Sequence, residues 1–158
     1  MKFLKKLAAV VSFSLALPGA AMAQDAAIAL EGDVMVEKTV TEADGTTTTV
    51  LEKPGTIVPG DRLVFGTDYV NNSAEVVENF TVTNPLPSAV RLAPEADADL
   101  VVSVDGGSEW GALSALTVTD EDGTQRAATH SDVTHIRWTL ATVQPGEEGR
   151  LEYPAVIR

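Results

Sequence analysis

After residue 23 the apolar runs of this chain are short, rich in Val and Thr, and cut repeatedly by Gly, Pro, Asn and Asp, with no segment that sustains a helical period. Such punctuation restricts the chain to short strands, and the fold class it implies is all-β. The strongest strand spans 62–71, with Leu63, Phe65, Thr67 and Tyr69 on its inward side. A return strand over 78–84 turns Phe80 and Val82 inward and stops at Asn84-Pro85-Leu86-Pro87, because proline has no N–H for a ladder. In 133–140, Ile136, Trp138 and Leu140 share one face and His135, Arg137 and Thr139 the other; Trp138 reads as a core residue. Further strands are expected over 34–40 (Val34, Val36 and Val40 together), 46–52, 100–104, 116–119 and 151–157. Turns are expected at Ala43-Asp44-Gly45, Asn71-Asn72-Ser73, Asp105-Gly106-Gly107, Asp120-Glu121-Asp122-Gly123 and Pro145-Gly146.

The first 23 residues follow a different rule. Lys2, Lys5 and Lys6 precede an apolar run over 7–17, then Pro18-Gly19, then Ala21-Met22-Ala23 before Gln24. This is the pattern of an export signal cleaved between Ala23 and Gln24, with Ala21 and Ala23 as the small cleavage-site residues. The apolar run is about half the length a membrane span needs. The expected organisation is a signal over 1–23, a flexible lead-in over 24–32 and one sandwich domain over 33–158, delivered to the periplasm or the exterior with no membrane span after signal removal. Nucleotide cofactors and chromosomal DNA are not expected there.

Losing three lysines leaves 8 basic against 23 acidic residues, a formal charge of about −15 with both histidines neutral. Such a surface repels phosphate, so nucleic acid is excluded as a partner. The absence of cysteine removes disulfides, thiolate metal sites and a lipidated amino-terminal Cys. About 135 residues must therefore be held by packing alone, which is enough chain for one core.

Taken in order, Val58-Pro59-Gly60-Asp61, the aromatic-bearing strand that follows, Asn71-Asn72-Ser73, Phe80-Thr81-Val82-Thr83-Asn84 and Leu86-Pro87 form a pattern. Ile136-Arg137-Trp138-Thr139-Leu140, Pro145-Gly146-Glu147 and Leu151-Glu152-Tyr153 continue it. Over 55–158 the chain resembles the conserved repeat domain known as domain of unknown function eleven, found in bacterial and archaeal surface proteins. The resemblance implies an immunoglobulin-like antiparallel β-sandwich with no catalytic residues. Only one copy is present, and Asn84 stands where that family often has Asp.

Few residues offer chemistry. His130-Ser131-Asp132 with His135 contains the residue types of a hydrolase triad, but neighbours on one strand or turn point apart, and no Gly-x-Ser-x-Gly elbow exists. The same histidines lack a ligand-spaced third partner for a metal. The Asp120–Gly123 turn offers oxygens to calcium through Asp120 and Asp122, without the alternate spacing and distal Glu of a calcium loop; Asp97-Ala98-Asp99 offers less. Trp110, beside two glycines, is expected to pack over a sheet end. The expectation is a non-enzyme without cofactor, an envelope module that meets a surface-protein partner through sheet edges or end loops. The alternative is a secreted binder of a small ligand or divalent cation through acidic end loops.

Overall fold

The computed structural model describes residues 27–158. The export signal, its cleavage-site residues Ala21, Ala23 and Gln24, and the start of the expected lead-in lie outside the described residues.

The strands are β1 (Ile28–Thr41), β2 (Thr47–Glu52), β3 (Arg62–Asn71), β4 (Val77–Pro85), β5 (Val90–Leu92), β6 (Val101–Ser103), β7 (Gly111–Ala112), β8 (Thr117–Thr119), β9 (Gln125–Ala127), β10 (His135–Val143) and β11 (Glu148–Ile157). A single 3-10 turn, Leu113–Ala115, follows β7. The larger sheet has the order β2-β1-β3-β11-β5 and the smaller one β4-β10-β6-β7, and all their pairings are antiparallel; β8 and β9 form a separate hairpin. Two antiparallel sheets face each other across one core, the all-β arrangement that the alternation implies.

The core follows the strand period. Leu63 and Thr67 of β3 are buried, with Phe65 and Tyr69 half-buried on the same side. Tyr153 lies opposite Phe65 in the ladder and their rings stack at 5.1 Å. Trp138 reaches from the smaller sheet to 6.1 Å from Tyr153, half-buried against a core that also holds Ile136 and Val102, both fully buried. Burial pushes the Tyr153 phenol up to about 12.

Two of the corners where the chain crosses between sheets, from β3 to β4 and from β10 to β11, are fastened together by Asn71. Its side-chain amide donates to the carbonyls of Glu75 (2.8 Å) and Val143 (3.0 Å), and its Oδ1 accepts from the Ser73 N–H and hydroxyl. Its backbone N–H donates to Glu147 and its carbonyl accepts from Gly146. Every polar atom of this buried residue is matched, so it holds both corners without an unsatisfied group.

Outside the core, Arg150 lies across Gly66 on the solvent face of the larger sheet. It donates to Asp68 (2.9 Å), Asp33 (2.7 Å) and Glu152, tying β1, β3 and β11. A Cβ at position 66 would meet the guanidinium and the Asp33 carboxylate, so a larger residue there would push the Arg150 side chain aside.

Three sequence expectations change. Residues 28–32 are paired strand, not flexible lead-in: β1 meets β3 from Ile28 opposite Asn71 onward. Val40 is 39% exposed although Val36, on the same face, is 5% exposed, because the β1–β2 hairpin runs past the end of the smaller sheet. From Lys38 to Glu52 this arm is exposed on both faces apart from Val50, and nothing packs on it. The short strands β5, β7 and β9 were not anticipated, since two or three residues carry no readable period.

Candidate functional site

One end of the sandwich gathers the loop after β5, the 3-10 turn and the loop between β9 and β10. These enclose an apolar cleft of about 450 Å³. Leu92, Leu100 and Val102 form its floor, Leu113 and Ala128 its walls, and Asp97 and His130 stand at its rim. The floor residues belong to the core, so the cleft opens directly onto it. Its size falls within the range of small-ligand pockets, roughly 300–1,000 Å³.

Polar groups next to the rim are engaged with one another. Arg126 donates through both terminal nitrogens to Asp132 (2.7 and 2.8 Å) and through Nε to Asp120 (3.0 Å). Asp132 also accepts from the Thr129 N–H and hydroxyl. The Arg126 guanidinium, with Thr129, holds the Asp132 carboxyl well below the usual carboxylate range. The Ser131 carbonyl accepts from Arg158, and the Asp97 carboxylate closes its own turn on the Asp99 N–H.

The four residues of the hydrolase reading are separated. His130 faces the cleft and Asp132 is bound by Arg126. His135 sits on the outer face of the smaller sheet, its ring edge-on to Trp110 at 6.2 Å and its Nδ1 3.0 Å from the Thr134 hydroxyl. No base, nucleophile and orienting carboxylate come together in that set. Among the described residues, no group of three or more His, Cys, Asp or Glu is placed to hold a metal ion.

The acidic turn has a structural counterpart. In both Ala43-Asp44-Gly45-Thr46 and Glu121-Asp122-Gly123-Thr124 the glycine has positive φ (84° and 85°) and the Asp Oδ1 accepts the Thr N–H at 2.9 Å. In both, the residue before the turn bonds across it, Glu42 to Thr46 and Asp120 to Thr124. The Thr46 hydroxyl and N–H lower the Asp44 carboxyl, and Thr124, chiefly through its N–H, lowers Asp122. Asp122 is therefore a hairpin-turn residue, as Asp44 is. Asp120 is paired with Arg126, so a cation would have to displace that guanidinium.

Trp110 folds back over the sheet as expected of a packing residue. Its Nε1 donates to the Gly107 carbonyl at 2.8 Å, and the Arg137 guanidinium carbon lies 3.5 Å from its ring centroid. Asp105 shapes the preceding loop by accepting from the N–H groups of Ser108 and Glu109 and the Ser103 hydroxyl. The sequence offered no sign of the cleft, of the Arg126 fork or of the Trp110–Arg137 stack. Each depends on residues whose neighbours are set by the packing of loops.

No family model, no curated protein and no solved structure matches this chain.

Proposed function

We propose that the chain is an exported, non-catalytic module of the immunoglobulin-like kind, akin to the conserved repeat domain it resembles, with a structural or protein-interaction role in the cell envelope. The observation that carries this reading is the engagement of the end-loop polar groups with one another. Asp132, Asp120, Asp122 and Asp105 hold turns or Arg126 in place, leaving sheet edges and an apolar cleft as the surfaces offered to a partner. A photo-crosslinking residue at Ala98 or Ser114, beside the cleft, should trap one envelope protein in the producing cell, while the same residue at Glu152 should trap none. Equal labelling from all three positions, or no product from any, would refute the interaction role.

The cleft also favours a second reading, a binder of a small aliphatic ligand. Its floor and walls are aliphatic, and its rim would set orientation only through His130, Thr129 and Asp97. Lipid-extract mass spectrometry of the protein purified under native conditions separates the two: a stoichiometric small molecule supports the ligand reading.

A further inference from the structure

The edges of the two sheets are guarded unequally. β4 is bent at Asn79, which has φ 53°, carries Glu78 and ends on Pro85. β5 and β7 are three and two residues long. The stretch of β1 that β2 leaves uncovered carries Glu31 and Asp33. Charges, proline, bends and shortness are the devices by which sheets prevent pairing with other chains. On β2 they appear only at its far end, where Glu52 closes the strand and Lys53-Pro54 follow; from Gly45 to Leu51 the sequence is Gly-Thr-Thr-Thr-Thr-Val-Leu, uncharged and without proline. In a protein that carries about −15, copies repel one another, and an uncharged edge on a projecting arm is where they can approach.

The backbone pattern sets what that edge can bind. Glu42 donates to Thr46, and hydrogen-bonded pairs alternate along an antiparallel ladder. Thr48 and Val50 therefore spend their backbone groups on Val40 and Lys38, while the N–H and C=O groups of Thr47, Thr49 and Leu51 point away from β1. A second β2 laid antiparallel about a two-fold axis at Thr49 sets Thr49 against Thr49 and Thr47 against Leu51, all with outward-pointing groups. Side-chain faces match in this register, because Val50 then meets Thr48, and β-branched cross-strand pairs are favourable. The same register brings Lys53 of one copy to the Asp44-Gly45 tip of the other, the one place where opposite charges meet.

We propose that β2 is a self-association edge: two copies of this chain join their arms through Thr47–Leu51 into a continuous four-stranded ribbon, β1-β2 of one copy followed by β2-β1 of the other. This names a partner for the interaction role proposed above and rests on that reading for its setting, though not for its geometry.

Sedimentation equilibrium of the purified full chain, processed as its host processes it, tests the proposal from micromolar to millimolar concentration. A reversible dimer is expected. Thr49→Glu and Thr49→Lys each place like charges face to face at the axis without touching a bond to β1, and each should weaken the dimer roughly tenfold or more. Mixing the two variants should restore it as a heterodimer, which a folding defect would not allow. A chain that is monomeric throughout, a dimer indifferent to both substitutions, or a mixture that stays apart would each overturn the proposal. None of these results bears on crosslinking beside the cleft, which tests the interaction role separately.

Discussion

The two halves of β1 obey different physics. From Ile28 to Val36 the strand is laid along β3, and its inward side ends on the buried Val36. From Lys38 to Thr41 the same strand pairs only with β2 and has solvent on both faces. The first half is held by its ladder with β3 and by burial at its two ends, Ile28 and Val36, where apolar area is removed from water. The second is a hairpin held by backbone ladder bonds, cross-strand pairs and its Asp44-Gly45-Thr46 turn, a device that is marginal on its own. Alternation alone does not distinguish them. The sandwich body and the arm are thus expected to differ in how far a local change spreads.

Truncation in the body should give the largest loss. Ile136 is fully buried at the centre of the smaller sheet, and Ile136→Ala should cost about 4 kcal/mol. That is a large part of the roughly 5–15 kcal/mol available to a domain, and the urea midpoint should fall accordingly. Asn71→Ala comes next. It leaves the buried carbonyl of Val143 without its donor and releases both corners, for a loss of about 2–3 kcal/mol by the same measurement. An unchanged midpoint would mean that the corners are held by the turns alone.

Asp132→Asn should cost about 1 kcal/mol at neutral pH, since the ion pair it breaks is partly open to water. Its carboxyl is held below the ordinary value, so its stabilisation is complete above the unfolded-state pKa of about 4 and is lost as pH falls below it. Parent and variant should therefore draw together progressively in acid-unfolding curves as pH falls from about 4 through the lowered folded-state value; a gap that does not narrow over that range would point to lost packing instead. The smallest effect belongs to the arm. Asp44→Ala removes the bonds to Thr46 and should show only as faster amide exchange near the turn, with no change at β10. If it slowed or sped exchange throughout, arm and body would form one cooperative unit and the contrast drawn above would fail.

The long strands β3, β4, β10 and β11 were readable because each runs long enough for one apolar face to repeat, as in Leu63, Phe65 and Thr67 or Ile136 and Trp138. Residues 28–32 escaped because Ala29 and Gly32 blur the alternation, and their order comes from β3 rather than from themselves. Val40 continues the period of Val34 and Val36, yet the sequence does not record where the facing sheet stops. Asn71 was readable as a turn residue. Its larger role needs the β10–β11 corner beside it, a neighbour far along the chain that only the register supplies. The same holds for Arg126 and Arg150, whose carboxylate partners are collected by folding.

The strand order also sets a sequence in time. β3, the centre of the larger sheet, is flanked by β1, made before it, and by β11, which leaves the ribosome long after it. Until β11 arrives, Phe65 lacks its stacking partner Tyr153 and Asn71 lacks the corner it fastens. Non-local pairing of this kind makes folding slow and leaves an incomplete chain with an open sheet edge. A protein built this way completes its larger sheet only when its last strand is available, so the ten residues of β11 decide when the fold can close.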